Sequence, residues 1–202
     1  MTKNHTRPAF FLDRDGTLAE EVGYMNHLSR FQLYPWSAEA IRRIRAEVEG
    51  AVVGVGTVLN TADLVCALKA GCEFVVTPGF TPSLLDAGAG CGVPFIPGIA
   101  TVSEMMTCLE RGLTELKFFP AEASGGPATL KAFAGPVPQV SFCPTGGVGL
   151  GNLANYLAVP AVKTVGGSWI CPDGLISKGD WDGITRLAAE ARDLVTSIRN
   201  GN

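Results

Sequence analysis

The 202-residue sequence lacks the features that mark several classes of protein. It has only two histidines and no Cys-x-x-Cys pair, so neither a zinc site nor a disulfide framework is indicated. No run approaches the ~18 apolar residues that a membrane-spanning helix needs. The formal net charge of -3 provides no electrostatic basis for binding nucleic acid or an anionic membrane. We therefore expect neither nucleic acid nor membrane as a partner.

The N-terminus and the cysteines indicate the compartment. The first eight residues, "MTKNHTRP", are polar and do not contain the apolar core of a signal peptide. The six cysteines are scattered, mostly in or beside apolar runs. We interpret them as buried free thiols in a reducing environment, and we expect a cytoplasmic protein.

Short apolar runs alternate with helical segments from residue 51 onward. The runs cover residues 51–58, 73–79, 93–99, 115–121, 139–147 and 161–169. They are continuous and rich in Val, Ile and Phe, which is typical of parallel strands buried on both faces. Their alternation with helices predicts βαβ units in one α/β domain over residues 1–202.

A (β/α)8 TIM barrel is the architecture we predict for these units. Glycine and proline cluster at the C-terminal ends of the runs, where a barrel carries its active-site loops. Six runs and one further strand near the N-terminus make seven strands, whereas a barrel needs eight. A short strand at residues 31–35, strand exchange between chains or a distorted closure are the alternatives for the missing strand.

Three segments have clear helical signals. Thr61 is a candidate N-cap, and Thr101 and Glu104 have the spacing of a capping box. Near the C-terminus one apolar stripe is formed by Ile184, Leu187, Ala191, Leu194 and Ile198.

Lys117 lies in the middle of a predicted strand, between Leu116 and Phe118. Desolvation disfavours the charged form of an amine, and a neutral amine attacks ketones to form a Schiff base. The protonated imine then accepts the electrons of a breaking carbon–carbon bond, which is the chemistry of class I aldolases. The alternative is a lysine that reaches solvent from a strand edge.

Two glycine pairs end the last two predicted strands. Gly146 and Gly147 follow residues 139–145, and Gly166 and Gly167 precede Ser168. Glycine-rich loops expose backbone N–H groups, and the phosphate site of a barrel commonly lies after strands seven and eight. Two ordinary turns are the alternative. Glu122 follows the lysine strand. A hydrogen bond in the site is one interpretation of it, and a charge at a helix N-terminus is the one we expect.

The order of motifs in the chain closely resembles a known family. The motifs are "VGVGTVLN", "TPGF", "IPGIATVSEMM", "LKFFPAEASGG", "AGPVPQVSFCPTGGV" and "VGGSW". They resemble the 2-keto-3-deoxy-6-phosphogluconate (KDPG) or KHG aldolases over about residues 38–194. The resemblance implies a trimeric (β/α)8 barrel that cleaves a phosphorylated keto acid to pyruvate and an aldehyde without a cofactor.

The resemblance also implies roles for individual residues. Lys117 would be the Schiff-base lysine, and Thr57 would bind the pyruvate carboxylate. Pro78 and Phe119 would line the pocket. The phosphate would be held by Gly146, Gly147, Gly166, Gly167 and Ser168.

The first fifty residues depart from that family. Its "EVTLR" motif, which supplies the general acid/base glutamate and a carboxylate-binding arginine, does not occur in the sequence. In its place stands "FFLDRDGTL", and residues 8–45 resemble haloacid dehalogenase-like phosphatases of the heptose bisphosphate phosphatase branch. That resemblance implies Asp13 as nucleophile and Asp15 as general acid/base, both holding Mg²⁺.

We interpret the chain as a chimera in which one phosphatase-like βα element replaces the first two aldolase units. Residues 8–50 would be that element, with a possible flap, and residues 51–202 the aldolase units. If Asp13 occupies the place of the missing glutamate, it would serve as the catalytic base. Three functions therefore stay open: a class I aldolase, a Mg²⁺-dependent phosphatase centred on Asp13, and an inactive scaffold.

Overall fold

The computed structural model describes residues 9–12 and 37–201, and it divides into two compact units. The first unit contains the described residues up to Gly98 together with Thr107–Leu113. The second contains Ile99–Met106 and the chain from Thr114 onward. The assignment of one domain to residues 1–202 stays a prediction.

The strands of the described residues are β1 (Ala9–Leu12), β2 (Val52–Val55), β3 (Phe74–Val76), β4 (Phe95–Ile96), β5 (Gly98–Ile99), β6 (Glu115–Phe118) and β7 (Ser141–Pro144). They form two sheets. The first has the order β1-β2-β3-β4 and the second the order β5-β6-β7. β1 pairs with β2, β2 with β3, β3 with β4 and β6 with β7, all in parallel, as predicted for βαβ units.

Helices follow most of these strands along the chain. They are α1 (Ser37–Glu47), α2 (Thr61–Lys69), α3 (Pro82–Ala89), α4 (Val102–Leu109), α5 (Gly126–Ala134), α6 (Leu153–Leu157), α7 (Asp173–Ile176) and α8 (Trp181–Asn200), with a 3-10 helix at Ser168–Ile170. Across the parts of the chain with described structure, no helix is long and apolar enough to cross a membrane.

The strands are buried as their apolar sequences predict. All three residues of β3 are buried, and so are the last three of β2, β6 and β7. Neighbouring helices contribute further core side chains such as Leu84, Leu85 and Leu130. Burial of this apolar surface is the main favourable term in folding.

Two of the predicted strands differ from expectation. The run at 93–99 splits into β4 and β5, because Pro97 between them has no N–H to donate to a ladder. The run at 161–169 forms only isolated bridges to Phe142 and Thr145. Its N–H donors at Lys163 and Gly166 pair with the carbonyls of Phe142 and Pro144, so it carries one extra residue that interrupts the ladder.

The helix signals were correct in part. Thr101 and Glu104 form the predicted capping box, with N–H···O distances of 2.8 and 3.3 Å. Asn60 rather than Thr61 caps α2, since its side chain accepts the N–H of Asp63. The predicted apolar stripe of α8 is half-buried along its length.

All six cysteines are free thiols, as predicted. Cys72, Cys108 and Cys143 are buried, whereas Cys66 and Cys171 are exposed, so the expectation of burial was wrong for those two. Each exposed thiol belongs to a solvent-facing segment, Cys66 on the outer side of α2 and Cys171 just after the 3-10 helix.

Replacement of Leu130 by alanine should destabilise the protein by about 3 kcal/mol, because Leu130 is 0% exposed and its loss leaves a cavity. Leu150→Ala is the matched control, since Leu150 is 54% exposed and should change stability by less than about 1 kcal/mol. Urea unfolding at one protein concentration measures both. Equal losses in the two variants would contradict the assigned core.

Candidate active site

Lys117 is buried in the central strand of the second sheet. β6 lies between β5 and β7, and Lys117 is 9% exposed with Leu116 and Phe118 almost fully buried on either side. Its Nζ lies 4.6 Å from the centroid of the Phe119 ring, within the range of a cation–π contact. The alternative of a lysine at a strand edge is therefore wrong, and Phe119 contacts Lys117.

Strand β7 provides the neighbours of Lys117. Parallel register pairs Lys117 with Cys143, and Thr145 follows on the same face. Burial raises the pKa of the Cys143 thiol, while the Thr145 hydroxyl and the Lys117 charge act in the opposite direction. Sequence analysis did not identify these two residues, because strand register is not visible in the sequence.

The two glycine pairs lie in adjacent loops. Thr145 and Gly166 form a parallel bridge, which brings the loop after β7 beside the one that precedes Ser168. Gly146 and Gly147 have φ angles of +95° and +82°, which residues other than glycine rarely adopt.

The second glycine pair lies where neighbouring atoms leave no room for a side chain. The N–H of Gly166 donates to the carbonyl of Pro144 at 2.9 Å, so it is used by the sheet. A Cβ on Gly167 would lie 1.7 Å from the ring of Trp169. Ser168, at the start of the 3-10 helix, is exposed.

The loop at Gly146 and Gly147 is held by residues from two other segments. The N–H of Glu122 donates to the carbonyl of Gly146 at 3.1 Å, and the side-chain carboxylate of Glu122 accepts a hydrogen bond from the Tyr156 hydroxyl. Asn152 donates from Nδ2 to the carbonyl of Gly147 at 2.9 Å.

Glu122 does not have the position that we predicted. Helix α5 begins at Gly126, and its first turn contains no acidic residue. Glu122 lies in the turn before the helix, where it contacts Tyr156 and the Gly147 backbone. A polar contact across 34 residues leaves no local pattern in the sequence, so Tyr156 was not singled out.

The first unit contains Thr57 and Pro78. Thr57 has a φ angle of +55°, which is unusual for a β-branched residue and marks strain of the kind that clusters at functional sites. Pro78 follows Thr77, whose buried hydroxyl accepts the N–H of Gly98 at 3.3 Å. A Cβ on Gly98 would lie 2.2 Å from the Pro78 carbonyl oxygen, so glycine allows this close backbone approach.

The predicted metal ligands Asp13 and Asp15 lie outside the described residues. Within residues 9–12 and 37–201, no group of three or more His, Cys, Asp or Glu side chains could hold a metal ion.

Comparison with known proteins decides the family. The model of the KDPG and KHG aldolase family matches residues 30–187. The chain belongs to this aldolase family. The match starts before the predicted range of residues 38–194 and stops before that range ends. It covers every candidate site residue that the structure describes.

Curated aldolases have high identity to this chain. A 2-dehydro-3-deoxy-phosphogluconate aldolase of Pseudomonas aeruginosa is 51% identical over 160 residues, which are 79% of this chain and 73% of the relative. A KHG/KDPG aldolase of Escherichia coli is 50% identical over 155 residues, 77% of this chain and 73% of the relative.

Solved aldolase structures share the fold. The KDPG aldolase of Legionella pneumophila, with pyruvate captured as a covalent carbinolamine intermediate, matches with a TM-score of 0.71 and 43% identity over 76% of this chain and 74% of that one. The fold class is therefore the TIM-barrel-like α/β fold of these aldolases. The predicted replacement of two units by a phosphatase-like element stays a hypothesis.

Cys143 should react with iodoacetamide more slowly than the exposed Cys171, because burial restricts access to the thiol and raises its pKa. Its rate should increase as the pH is raised from 7 to 9, since the raised pKa leaves little thiolate at neutral pH. Peptide mass mapping at several times gives both rates. In urea the two thiols should react alike, and equal rates in the native protein would contradict the burial of Cys143.

Proposed function

We propose that this protein is a class I aldolase that cleaves KDPG-type or 4-hydroxy-2-oxoglutarate-type keto acids to pyruvate and an aldehyde. The observation that carries the proposal is Lys117, a lysine buried in the central strand of its sheet in a chain of this family. The names of the curated relatives and the carbinolamine of the Legionella enzyme support it. The proposed chemistry needs no metal or organic cofactor.

The reaction would proceed through a covalent bond to Lys117. The neutral amine attacks the keto carbon, and loss of water from the carbinolamine produces an imine. A base removes the proton of the C4 hydroxyl, the C3–C4 bond breaks, and its electrons move into the protonated imine to form an enamine. Release of the aldehyde, protonation at C3 and addition of water then yield pyruvate and the free lysine.

Other residues would position the substrate. We propose that Thr57 binds the pyruvate carboxylate and that Pro78 and Phe119 line the pocket. The φ angle of Thr57 and the contact of Phe119 with Lys117 support these roles.

The substrate phosphate would lie at the two glycine loops. We propose that Gly146 and Gly147 hold it from one side. Gly166, Gly167 and Ser168 hold it from the other. The bridge between Thr145 and Gly166, which places the loops side by side, supports the pairing. Because the N–H of Gly166 is used by the sheet, we infer that Gly166 shapes its loop while its neighbours donate.

The catalytic base is a separate proposal. Since the family's "EVTLR" motif does not occur in the sequence, we propose Asp13 as its substitute. The parallel pairing of β1 with β2 supports it, because Asp13 follows directly on the last residue of β1. A carboxylate displaced by ~1 Å can reduce a rate by ~10²-fold, so we expect slow turnover.

The origin of the N-terminal segment is also a proposal. We infer that residues 8–50 come from a phosphatase-like βα element, with "FFLDRDGTL" as the supporting motif. A Mg²⁺-dependent phosphatase at Asp13 and Asp15 is not favoured as the function, because the family match already begins at residue 30. By resemblance we propose a homotrimer in the cytoplasm.

Incubation with pyruvate and borohydride should attach one reduced pyruvate to Lys117, and Lys117→Arg should abolish the adduct because a guanidinium does not form the imine. Lys131→Arg is the control, since Lys131 is exposed on α5. Intact mass and peptide mapping measure the adduct. A folded protein without the adduct would overturn the aldolase proposal.

Asp13→Asn should keep the borohydride adduct but slow exchange of the pyruvate methyl protons in D2O by about 10²-fold or more. The imine is formed on Lys117, and borohydride traps it even when it forms slowly, whereas the rate of C3 proton removal depends directly on the base. Proton NMR follows the exchange, and Lys117→Arg should stop it. Unchanged exchange in Asp13→Asn would exclude Asp13 as the base. Mg²⁺-dependent phosphate release that disappears in Asp13→Asn would instead support the phosphatase alternative.

A further inference from the structure

The side chain of Asn152 binds the glycine loop instead of capping its helix. Asn152 occupies the N-cap position of α6, yet its side chain makes no capping hydrogen bond. Its Oδ1 accepts the N–H of Gly149 at 2.8 Å and its Nδ2 donates to the carbonyl of Gly147 at 2.9 Å. Asparagine at an N-cap normally satisfies a helix N–H, so its use across the loop indicates a separate role.

Glu122 holds the same loop from the other side. Its N–H donates to the carbonyl of Gly146, and a Cβ on Gly147 would lie 2.6 Å from its Cγ. The side chain of Glu122 therefore lies directly against the Gly147 backbone. Any rotation of the Gly147 peptide would require both Glu122 and Asn152 to move.

Tyr156 fixes the carboxylate of Glu122. The tyrosine is 0% exposed on α6, and its hydroxyl donates to Glu122 Oε1. A buried tyrosine hydroxyl needs a partner, and a charged acceptor is the stronger one. Without this bond the carboxylate would lose the partner that fixes its orientation beside the Gly147 backbone.

We propose that Asn152, Glu122 and Tyr156 are positioning residues that fix the peptide orientation of Gly146 and Gly147 and thereby determine the preference for phosphorylated over unphosphorylated keto acids. The inference rests on the proposed function of the glycine loops. A backbone phosphate site depends on N–H groups held in one direction, and the φ angles of +95° and +82° are accessible to glycine but are not imposed by it. The three side chains supply that constraint.

The principal test compares two substrates in four variants. Asn152→Ala and Tyr156→Phe should each raise the KM for KDPG about tenfold, whereas the KM for unphosphorylated 4-hydroxy-2-oxoglutarate and the kcat for both should change less than about twofold. Asn152→Asp should raise the KM for KDPG at least as much as Asn152→Ala, because aspartate cannot donate to the Gly147 carbonyl and adds a negative charge beside the loop. Asn155→Ala, an exposed asparagine on the same helix, is the control and should leave every constant unchanged.

A second arm does not depend on turnover. Inorganic phosphate is titrated into ¹⁵N-labelled protein, and the shifts of the Gly147 and Gly167 amides yield its affinity in the wild type and in each variant. The affinity should fall about tenfold in Asn152→Ala and Tyr156→Phe and stay constant in Asn155→Ala. Melting temperatures of all variants establish that each is folded.

The outcomes separate the inference from the proposed function. If no borohydride adduct forms but the variants lose phosphate affinity as expected, the proposed aldolase activity is overturned and the positioning role is supported. Three outcomes would each overturn the inference. The variants could affect both substrates equally, or the variants at positions 152 and 155 could behave alike. The third is that the glycine amides of the wild type do not respond to phosphate.

Discussion

A lysine side chain buried in the central strand of a parallel sheet is the feature on which the rest of the site depends. An amine in an apolar interior is costly in its charged form, so the residues beside it are constrained. Here they are the flanking residues of β6, the small Cys143 on the next strand and the Phe119 ring at 4.6 Å. The amine therefore lies beside a strand partner with a thiol and beside an aromatic ring, within a largely buried part of the sheet.

Parallel strand pairing then determines where the loops that follow β6 and β7 lie. Because β6 and β7 run in the same direction, the turn after Lys117 and the glycine loop after β7 leave the sheet at the same edge. Hydrogen bonds from Ala121 to Thr145 and from Glu122 to Gly146 extend this pairing beyond the strands. Lys117 and the glycine loop are consequently parts of one continuous hydrogen-bonded structure.

Much of the fold could be predicted, because burial on both faces leaves a readable pattern in single strands. Five of the six runs after residue 50 contain strands, and Lys117 was identified as a polar residue within one of these apolar runs. The break at Pro97 could have been predicted from the missing N–H. The interruption near Gly166 could not, since it depends on a count of residues relative to a partner strand. The N-cap of α2 was misplaced by one residue, because asparagine and threonine are both favoured at N-caps and the sequence does not choose between Asn60 and Thr61.

The sequence by itself determined the type of strand, the presence of a buried amine and the glycines at the strand ends, because each is a local property of residue type and order. Only the tertiary structure decided that Cys143 lies beside Lys117, that Thr57 has a positive φ angle, and that Glu122 meets Tyr156 34 residues away. Those outcomes follow from strand register and from the path of loops between strands. Register and loop path depend on the free energy of many distant contacts at once, and no short segment of sequence encodes them.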